Sequence, residues 1–279
     1  MVSATVAARA ALAGNPSDGY GGAVTAVPVP TLQATVEVVS GSHANALVAA
    51  VVDRWAATHG PVDPATTLHV HTSIPRSVGL AGSSAIVIAG LRALAKRQGV
   101  EVADEALIGL AHATEREDLG IAGGWQDQVS QVVGGTVVME FDPAPAHRPL
   151  RAGRSIPFFV AWDAAAAESS NAVHARPLDA DAPELRSLAA QARAAADAFE
   201  QGDVHRLKTA MAATLDLRFE LLAIAPRHRE MAELSRSLGV PCNFAGSGGA
   251  IIGVLPKDPS PFLEALAAGG LTTTTWEVE

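Results

Sequence analysis

The 279-residue sequence predicts an α+β fold. Three observations carry that prediction. Short runs of alternating apolar and polar residues are interleaved with runs of helical period, yet the two kinds do not strictly alternate. A strand-like segment, Thr67–Thr72, runs through a Gly/Ser-rich turn directly into a helix. In the second half, two long Ala/Leu-rich helices follow one another with no strand between them.

Taken in order, Val2–Ala13 reads as a strand and Gly14–Gly22 as a long turn rich in Gly, Asn, Pro and Ser. Val24–Val39 reads as a strand interrupted by Pro28 and Pro30, which an edge position or a bulge would tolerate. His43–Thr58 is helical, with Leu47, Val48, Val51, Val52 and Trp55 on one face. Trp55 is read there as a core residue rather than a platform for a nucleotide base. In Thr67–Thr72, Leu68 and Val70 alternate with polar neighbours, and His69 and His71 share the other face. The next helix has Val87, Leu91 and Leu94 at helical spacing and closes on Lys96 and Arg97, where the helix dipole favours cations. Asp104–Asp118 is predicted as one further helix, with an acidic end at Glu115, Glu117 and Asp118. Val129, Val132 and Val133 form a short helix stopped at Gly134 and Gly135, and Thr136–Phe141 is a strand.

Asp142–Arg154, with Pro143, Pro145 and Pro149, is the best linker in the chain. Beyond it lie a strand at Pro157–Trp162, a polar loop, and helices over Pro183–Glu200, Val204–Ile224 and Pro226–Leu238. Cys242–Leu255 is a strand-turn-strand or strand-turn-helix unit, Pro261–Ala268 a short helix, and Thr272–Val278 a last strand.

Composition narrows the function classes. Nearly half of the chain is hydrophobic and 18% is charged, which suits a globular protein. A net charge of −9 without any Lys/Arg run argues against nucleic acid or an anionic membrane as partner. No apolar run approaches the ~20 residues of a membrane span, and Arg9 interrupts the apolar stretch near the N-terminus, so a cytoplasmic protein is expected. With Cys242 as the single cysteine, an intrachain disulfide is impossible and Cys242 reads as a small buried hydrophobe. His69, His71, His174 and His228 lack H-x-x-x-H spacing and are read as structural rather than as metal ligands.

The turn Gly79–Ala85 has the makings of an anion site. Free N–H groups and the positive end of the helix dipole converge at a helix N-terminus, glycine permits close approach, and Ser83 and Ser84 add hydroxyls. A capped helix start would look similar. Neither G-x-x-x-x-G-K-[ST] nor a G-x-G-x-x-G opening a βαβ unit is present.

The stretch Pro75–Ala85, reading Pro-x-x-x-Gly-Leu-x-Gly-Ser-Ser-Ala, resembles the ATP-binding signature of the GHMP small-molecule kinases. Gly14–Asp18 and Phe244–Ala250 stand where that family has its first and third motifs. Within the family the closest resemblance is to the glucuronokinases, on Gly14–Asp18, Ile74–Arg76, Gly82–Val87, Gln126-Asp127, Gly134-Gly135 and Asp216–Arg218. The heptose-phosphate kinases, which also carry a Gly-x-Gln-Asp-Gln string, are the nearest competitor. The resemblance implies a ribosomal-S5-type N-terminal domain over residues 1–149, a ferredoxin-like C-terminal domain over 150–279, and an active site between them.

The same resemblance implies ATP and Mg²⁺ as cofactors and a sugar or sugar acid as substrate. Gly79, Leu80, Ala81, Gly82, Ser83, Ser84 and Ala85 would cradle the phosphates, and Ser84 with a glutamate, Glu115 or Glu117, would hold the metal. Glu115 matches better. Asp127 corresponds to the residue that serves as base or orients the acceptor hydroxyl, although an Asp at a helix start is ordinarily an N-cap. Arg9 takes the place of a basic residue of the first motif, whose usual leading Pro is Ala8 here, and is implied as a catalytic residue that lowers the pKa of that Asp or holds charge in the transition state; a strand Arg without catalytic role fits equally. Asn15 and Asp18 are implied as sugar contacts, and Gly246, Ser247, Gly248 and Gly249 as a second loop near the transferred phosphate. Arg76 and Arg218 are the candidates for a substrate carboxylate, since a guanidinium offers two parallel donors. A GHMP-fold protein that binds ligands without catalysis is the rival from another class, and both monomer and homodimer remain open.

Overall fold

The computed structural model describes residues 2–121, 123–142, 145–166 and 178–279. His174 therefore lies outside the described residues, as do Pro143 and Ala144 of the linker segment. The described residues form two antiparallel sheets. The first holds β1 (Val2–Ala13), β2 (Ala23–Ser40), β3 (Thr66–Thr72), β4 (Val137–Glu140) and β5 (Ala146–Pro149), in the order β1-β2-β4-β5 with β3 also against β2. The second holds β6 (Ile156–Trp162), β7 (Cys242–Phe244), β8 (Ala250–Val254) and β9 (Thr272–Val278), in the order β7-β8-β6-β9.

Helices α1 (Ala46–His59), α2 (Gly82–Gln98), α3 (Asp104–Ala113) and α4 (Gln126–Val133) belong to the first half. In the second half lie α5 (Pro183–Gln201), α6 (Val204–Leu221), α7 (Pro226–Ser237) and α8 (Ser260–Ala268). The second half thus runs strand, helices, strand, strand, helix, strand. No helix of the described residues is long and apolar enough to cross a membrane.

The elements form where the residue pattern demands them. Asn45 caps α1 by accepting the Val48 N–H at 3.0 Å, which starts this helix three residues later than its apolar face alone suggests. Trp55 is completely buried, with its indole N–H donated to Gln98 Oε1 at 2.9 Å, so the core reading of that residue stands. Leu91 and Leu94 of α2 are likewise buried, and truncating either to Ala would cost about 2–5 kcal/mol. The prolines of β2 are accommodated as foreseen, by a bulge: pairing with β1 jumps from Gln33 opposite Ala7 to Val29 opposite Ala8. On its other side β2 pairs β4 over Ala23–Ala26 and β3 over Ala34–Ser40, so Pro28 and Pro30 fall where no ladder needs their missing N–H.

Two expectations need correction. The linker Asp142–Arg154 contains β5, which pairs β4 from Val137 opposite Pro149 to Glu140 opposite Ala146. Prolines permit this because β5 is an edge strand. The single helix foreseen over Asp104–Asp118 is an α-helix only to Ala113 and then widens into a π-turn over Thr114–Asp118. The Thr114 hydroxyl donates back to Leu110 O at 2.8 Å, and the Ile121 N–H reaches Glu115 O at 2.8 Å.

The two halves share apolar packing. One continuous cluster runs from Val6, Leu12 and Ile88 in the first half to Phe158, Phe199 and Trp276 in the second. Polar ties cross the same seam: Ala11 N–H to Ala245 O at 2.8 Å, and the Asn243 side-chain amide to Ala11 O and Leu12 O, each at 3.3 Å.

Candidate active site

The site is assembled where β1, the loop before α2, the start of α4 and the glycine loop after β7 meet. The loop after β3 turns through left-handed conformations at Ser77 (φ 56°), Gly79 (φ 80°) and Ala81 (φ 57°). For Ser77 and Ala81 this is uncommon backbone, held by its surroundings. Gln131 of α4 provides part of the hold, its amide donating to Ala81 O and Ala7 O at 3.0 Å each. Because Ala81 occupies the N-cap and offers no side-chain acceptor, the first N–H groups of α2 are left without a side-chain cap. An anion placed there would meet those donors and the helix dipole.

Glu115 faces this loop. Its carboxylate accepts from Ser83 Oγ and Ser84 Oγ at 2.6 Å each and from the Gln128 side-chain amide at 2.5 Å. Burial raises its pKa, and the nearby Asp127 adds to the rise, against the lowering by those donors. Glu117 points the other way and is exposed. It pairs with Arg54 at 2.8 Å, beside the two-pronged contact of the same guanidinium with Asp118. The split falls within the π-turn, in which Thr114 and Glu115 are buried while Arg116 and Glu117 are exposed. Ser84 Oγ with Glu115 makes a hard-oxygen pair suited to Mg²⁺, which needs few protein ligands and keeps several waters.

Asp127 lies in the first turn of α4 and is partly accessible, at 27% of its side-chain surface. Arg9, buried on β1, grips it: Nε donates to Asp127 Oδ1 at 2.7 Å and a terminal nitrogen approaches the same oxygen at 2.5 Å. The other terminal nitrogen of Arg9 donates to Gly79 O (3.0 Å) and Ala245 O (2.5 Å), joining the catalytic candidate to both glycine loops. Asp18 lies nearby in the short 3₁₀ turn Ser17–Tyr20, buried, with Oδ2 lacking a hydrogen-bond partner. Desolvation and then Asp127 push its pKa up to about 6, while Arg9 and backbone N–H groups at Asp18 and Gln126 pull it down.

The second glycine loop closes against the first. A side chain on Gly79 would meet Gly248 O and Ser247 N, each at 2.9 Å, and one on Gly246 would collide with Gly79 O. Gly246→Ala is therefore expected to force the loops apart, lowering stability by about 1–3 kcal/mol and weakening nucleotide affinity together. Thermal unfolding and nucleotide titration check this. An unchanged melting temperature and unchanged affinity would show that the contact is not needed.

The remaining candidates separate by burial. Asn15 is spent on internal bonds: its amide donates to Phe244 O (3.2 Å) and Gly246 O (3.4 Å), and its Oδ1 accepts from Asn243 at 2.9 Å. Arg218 is buried behind the glycine loop, donating to Gly246 O at 2.8 Å and Phe244 O at 3.4 Å, with its guanidinium 5.0 Å from the Phe244 ring centre. Burial, and then Arg9, lower its pKa to about 9. Arg76 is exposed on the loop leading to Gly79, with no hydrogen bond or ion pair to the described residues. Ser247 is half-buried, between the two buried glycines Gly246 and Gly248.

Residue patterns alone did not point to Gln131 or Asn243. Gln128 and Gln131 lie one helical turn apart on the buried face of α4, a signal that polar residues at core spacing provide. Asn243 is a buried Asn within a strand, visible only once the strand is known to be buried.

Comparison with known proteins bears on the same elements. Residues 44–135 match the model described as the GHMP kinases N terminal domain. A protein named probable glucuronokinase 2 from Arabidopsis thaliana is 33% identical over 217 residues, 70% of this chain and 58% of that protein. Glucuronokinase 1 of the same plant is 31% identical over 215 residues, with the same shares. The chain thus spans a little under three-fifths of the length of these curated relatives. A D-glycero-alpha-D-manno-heptose 7-phosphate kinase of Campylobacter jejuni is 40% identical over 75 residues, 27% of this chain and 22% of that one. Among solved structures, Streptococcus pneumoniae phosphomevalonate kinase in complex with phosphomevalonate and AMPPNP superposes with a TM-score of 0.83 over 100% of both chains at 16% identity. Methanococcus jannaschii mevalonate kinase does so with 0.79 over 99% of this chain and 98% of its own at 14% identity. Residues 44–135 thus carry a GHMP kinase N-terminal domain, and the chain as a whole shares the fold of these kinases.

Proposed function

We propose that the protein transfers the γ-phosphoryl group of Mg-ATP to a sugar hydroxyl, most specifically the anomeric hydroxyl of glucuronate or a related uronic acid. The observation that carries the reading is the Arg9–Asp127 pair, accessible at Asp127 and flanked by the Ser83–Ser84–Glu115 cluster on one side and by Asp18 on the other. Phosphoryl transfer needs an anion cradle, a metal carboxylate and a group that positions the acceptor, and these elements meet each need. The division into units of residues 1–149 and 150–279 belongs to the same reading; the first sheet ends at Pro149 and the second begins at Ile156.

Mg²⁺, when bound, would neutralise the charge that develops on the transferred phosphoryl group. The chain's own residues do the rest. The Gly79–Ala85 loop binds and orients the phosphates through backbone N–H groups, and Ser84 with Glu115 holds the metal. Asp127 accepts the hydrogen bond of the acceptor hydroxyl, and Arg9 keeps its carboxylate aimed. Asp18, beside Asp127, accepts from sugar hydroxyls. Asn15 and Arg218 act behind the site by holding the Gly246 loop in place. Of the two candidate arginines, Arg76 is the exposed one, without a hydrogen bond to the described residues, and offers its donors to a substrate carboxylate.

The uronate assignment draws on the names of the two Arabidopsis relatives. The heptose kinase match gives the phosphosugar reading its support. Among the described residues, however, the cations acting on Asp18 are Arg9 and Arg218, whose terminal nitrogens already donate to backbone carbonyls. ATP consumption against free sugars, uronic acids, sugar phosphates, homoserine and mevalonate tests the reading, with Asp127→Ala as control. Turnover on glucuronate or galacturonate that is lost in the control is the expected result. Turnover on a phosphorylated sugar alone would discard the uronate assignment, and no turnover with intact ATP binding would favour a non-catalytic binding protein.

Asp18 gives this reading a pH signature. Its folded pKa lies above its ordinary value of 3.8, so the stability it contributes is present below 3.8 and is lost as pH rises through about 6. Sugar hydroxyls donate to the ionised form, so substrate affinity runs the opposite way. KM for the sugar is expected to rise as pH falls below about 6, and Asp18→Asn should flatten that limb while raising KM throughout. A KM profile across about pH 5 to 8 that is identical in wild type and Asp18→Asn would remove Asp18 from the sugar site.

A further inference from the structure

On the outer face of the first sheet, away from the phosphate loop, Glu37, His69 and His71 bring their ligand atoms together. One carboxylate oxygen and one nitrogen of each ring lie within 4.8 Å of one another. Strand geometry produces the cluster. His69 and His71 are two apart on β3, so both rings leave the same face, and the rings stand 4.3 Å apart between centres at 68°. Register supplies the third member, since Glu37 on β2 is directly opposite His69. An H-x-x-x-H test is a test for helices; on a strand, same-face spacing is H-x-H, which is why these histidines read as structural from their spacing alone.

From this arrangement we infer that Glu37, His69 and His71 form a binding site for one divalent first-row transition-metal ion of the Zn²⁺, Ni²⁺ or Cu²⁺ type. Two imidazoles and one carboxylate are a donor set for such ions, whereas Mg²⁺ prefers all-oxygen surroundings. A tetrahedral ion with bonds of ~2.0–2.1 Å needs ligand atoms ~3.4 Å apart. Closing from at most 4.8 Å requires only side-chain rotation, and both histidines are exposed while Glu37 is half-buried, so nothing packed has to move. Three protein ligands on an open face leave the remaining positions to water or to a further ligand. The ion would tie β3, an outer strand, to β2. Because β3 continues through Ser73 and Ile74 into the phosphate loop, the tie would anchor the strand from which that loop departs. The site is separate from the Ser84–Glu115 pair and does not depend on the proposed kinase activity.

The test uses the full chain without a polyhistidine tag, stripped with chelator and held in excess Mg²⁺ so that hard-oxygen sites are filled. Zn²⁺ and Ni²⁺ titrations by calorimetry, and Co²⁺ titration followed by its visible absorption, are expected to show one ion per chain with nitrogen ligation. At saturating Zn²⁺ the melting temperature should rise by about 3–8 °C. His69→Ala and His71→Ala should each weaken binding at least about tenfold, Glu37→Gln less, with metal-free melting temperatures unchanged because all three lie at the surface. Absence of one-to-one binding at millimolar metal overturns the inference. So does undiminished affinity in the His69→Ala/His71→Ala double variant, which would put the ion elsewhere.

Discussion

Asp127→Asn is expected to lower kcat by about 10²–10⁴-fold while the KM for ATP stays near its wild-type value. The substitution keeps shape and removes the negative charge that the acceptor hydroxyl would meet. The substituted amide would still lie beside Arg9, whose other nitrogen retains Gly79 O and Ala245 O, so the loops keep their positions. Steady-state kinetics alongside a melting curve separate the two effects. A kcat within a few-fold of wild type, in a folded variant, would show that positioning by the loops suffices and that Asp127 is an N-terminal helix residue only. Arg9 is the companion test. Losing its guanidinium would strand the buried Ala245 carbonyl and the part-buried Gly79 carbonyl and leave the partly accessible Asp127 carboxylate without its cation, a loss of about 1–3 kcal/mol. Arg9→Lys, which keeps charge but gives up the fork, should therefore fall in both stability and kcat.

The second large effect is expected at Glu115. Glu115→Gln should raise the Mg²⁺ concentration needed for half-maximal activity by about tenfold or more and lower kcat at saturating metal. Its effect on the metal-free protein has the opposite sign. Burial holds the folded pKa of Glu115 above its ordinary value, so the stability linked to its protonation is present in acid and is lost as pH rises through the folded pKa. The neutral Gln should thus melt at or above wild type in alkaline buffer without metal, and the two should converge towards acid. A variant with unaltered Mg²⁺ dependence would move the metal ligand elsewhere. Glu117→Gln is the matched control; its carboxylate is on Arg54 at the surface, so it should change neither property much.

How far such residues could be read in advance depended on the range of the interaction that places them. The elements themselves are local events, and the residues report them directly. Alternation in Thr67–Thr72, the Gly/Ser turn into α2, and the Gly134 stop of α4 all appear within a residue or two of where the pattern sets them. So does the bulge forced by Pro28 and Pro30. The loop Gly79–Ala85 could be recognised because its chemistry lies in consecutive residues. The proposed metal carboxylate could be narrowed to Glu115 or Glu117, but periodicity treats Asp104–Asp118 as one cylinder. Only the π-turn at Thr114 decides which carboxylate turns inward, and that turn goes with the burial of Thr114 and Glu115.

Composition, short-range periodicity and motif order determined the α+β class, nearly every element and the place of the candidate phosphate loop, because these depend on neighbours along the chain. The tertiary structure alone decided which charges are spent and which are available. Arg218 and Asn15 have the right chemistry for a substrate, yet folding buries both against Gly246 and points the Asn15 amide and the terminal nitrogens of Arg218 at backbone carbonyls. Arg9 and Asp127 are 118 positions apart and meet only because β1 and the start of α4 flank the same loop. Glu37 and His69 converge only through the register of two strands. A side chain's type is written in the sequence, but its solvent, its partners and hence its charge state come from the residues that folding brings around it.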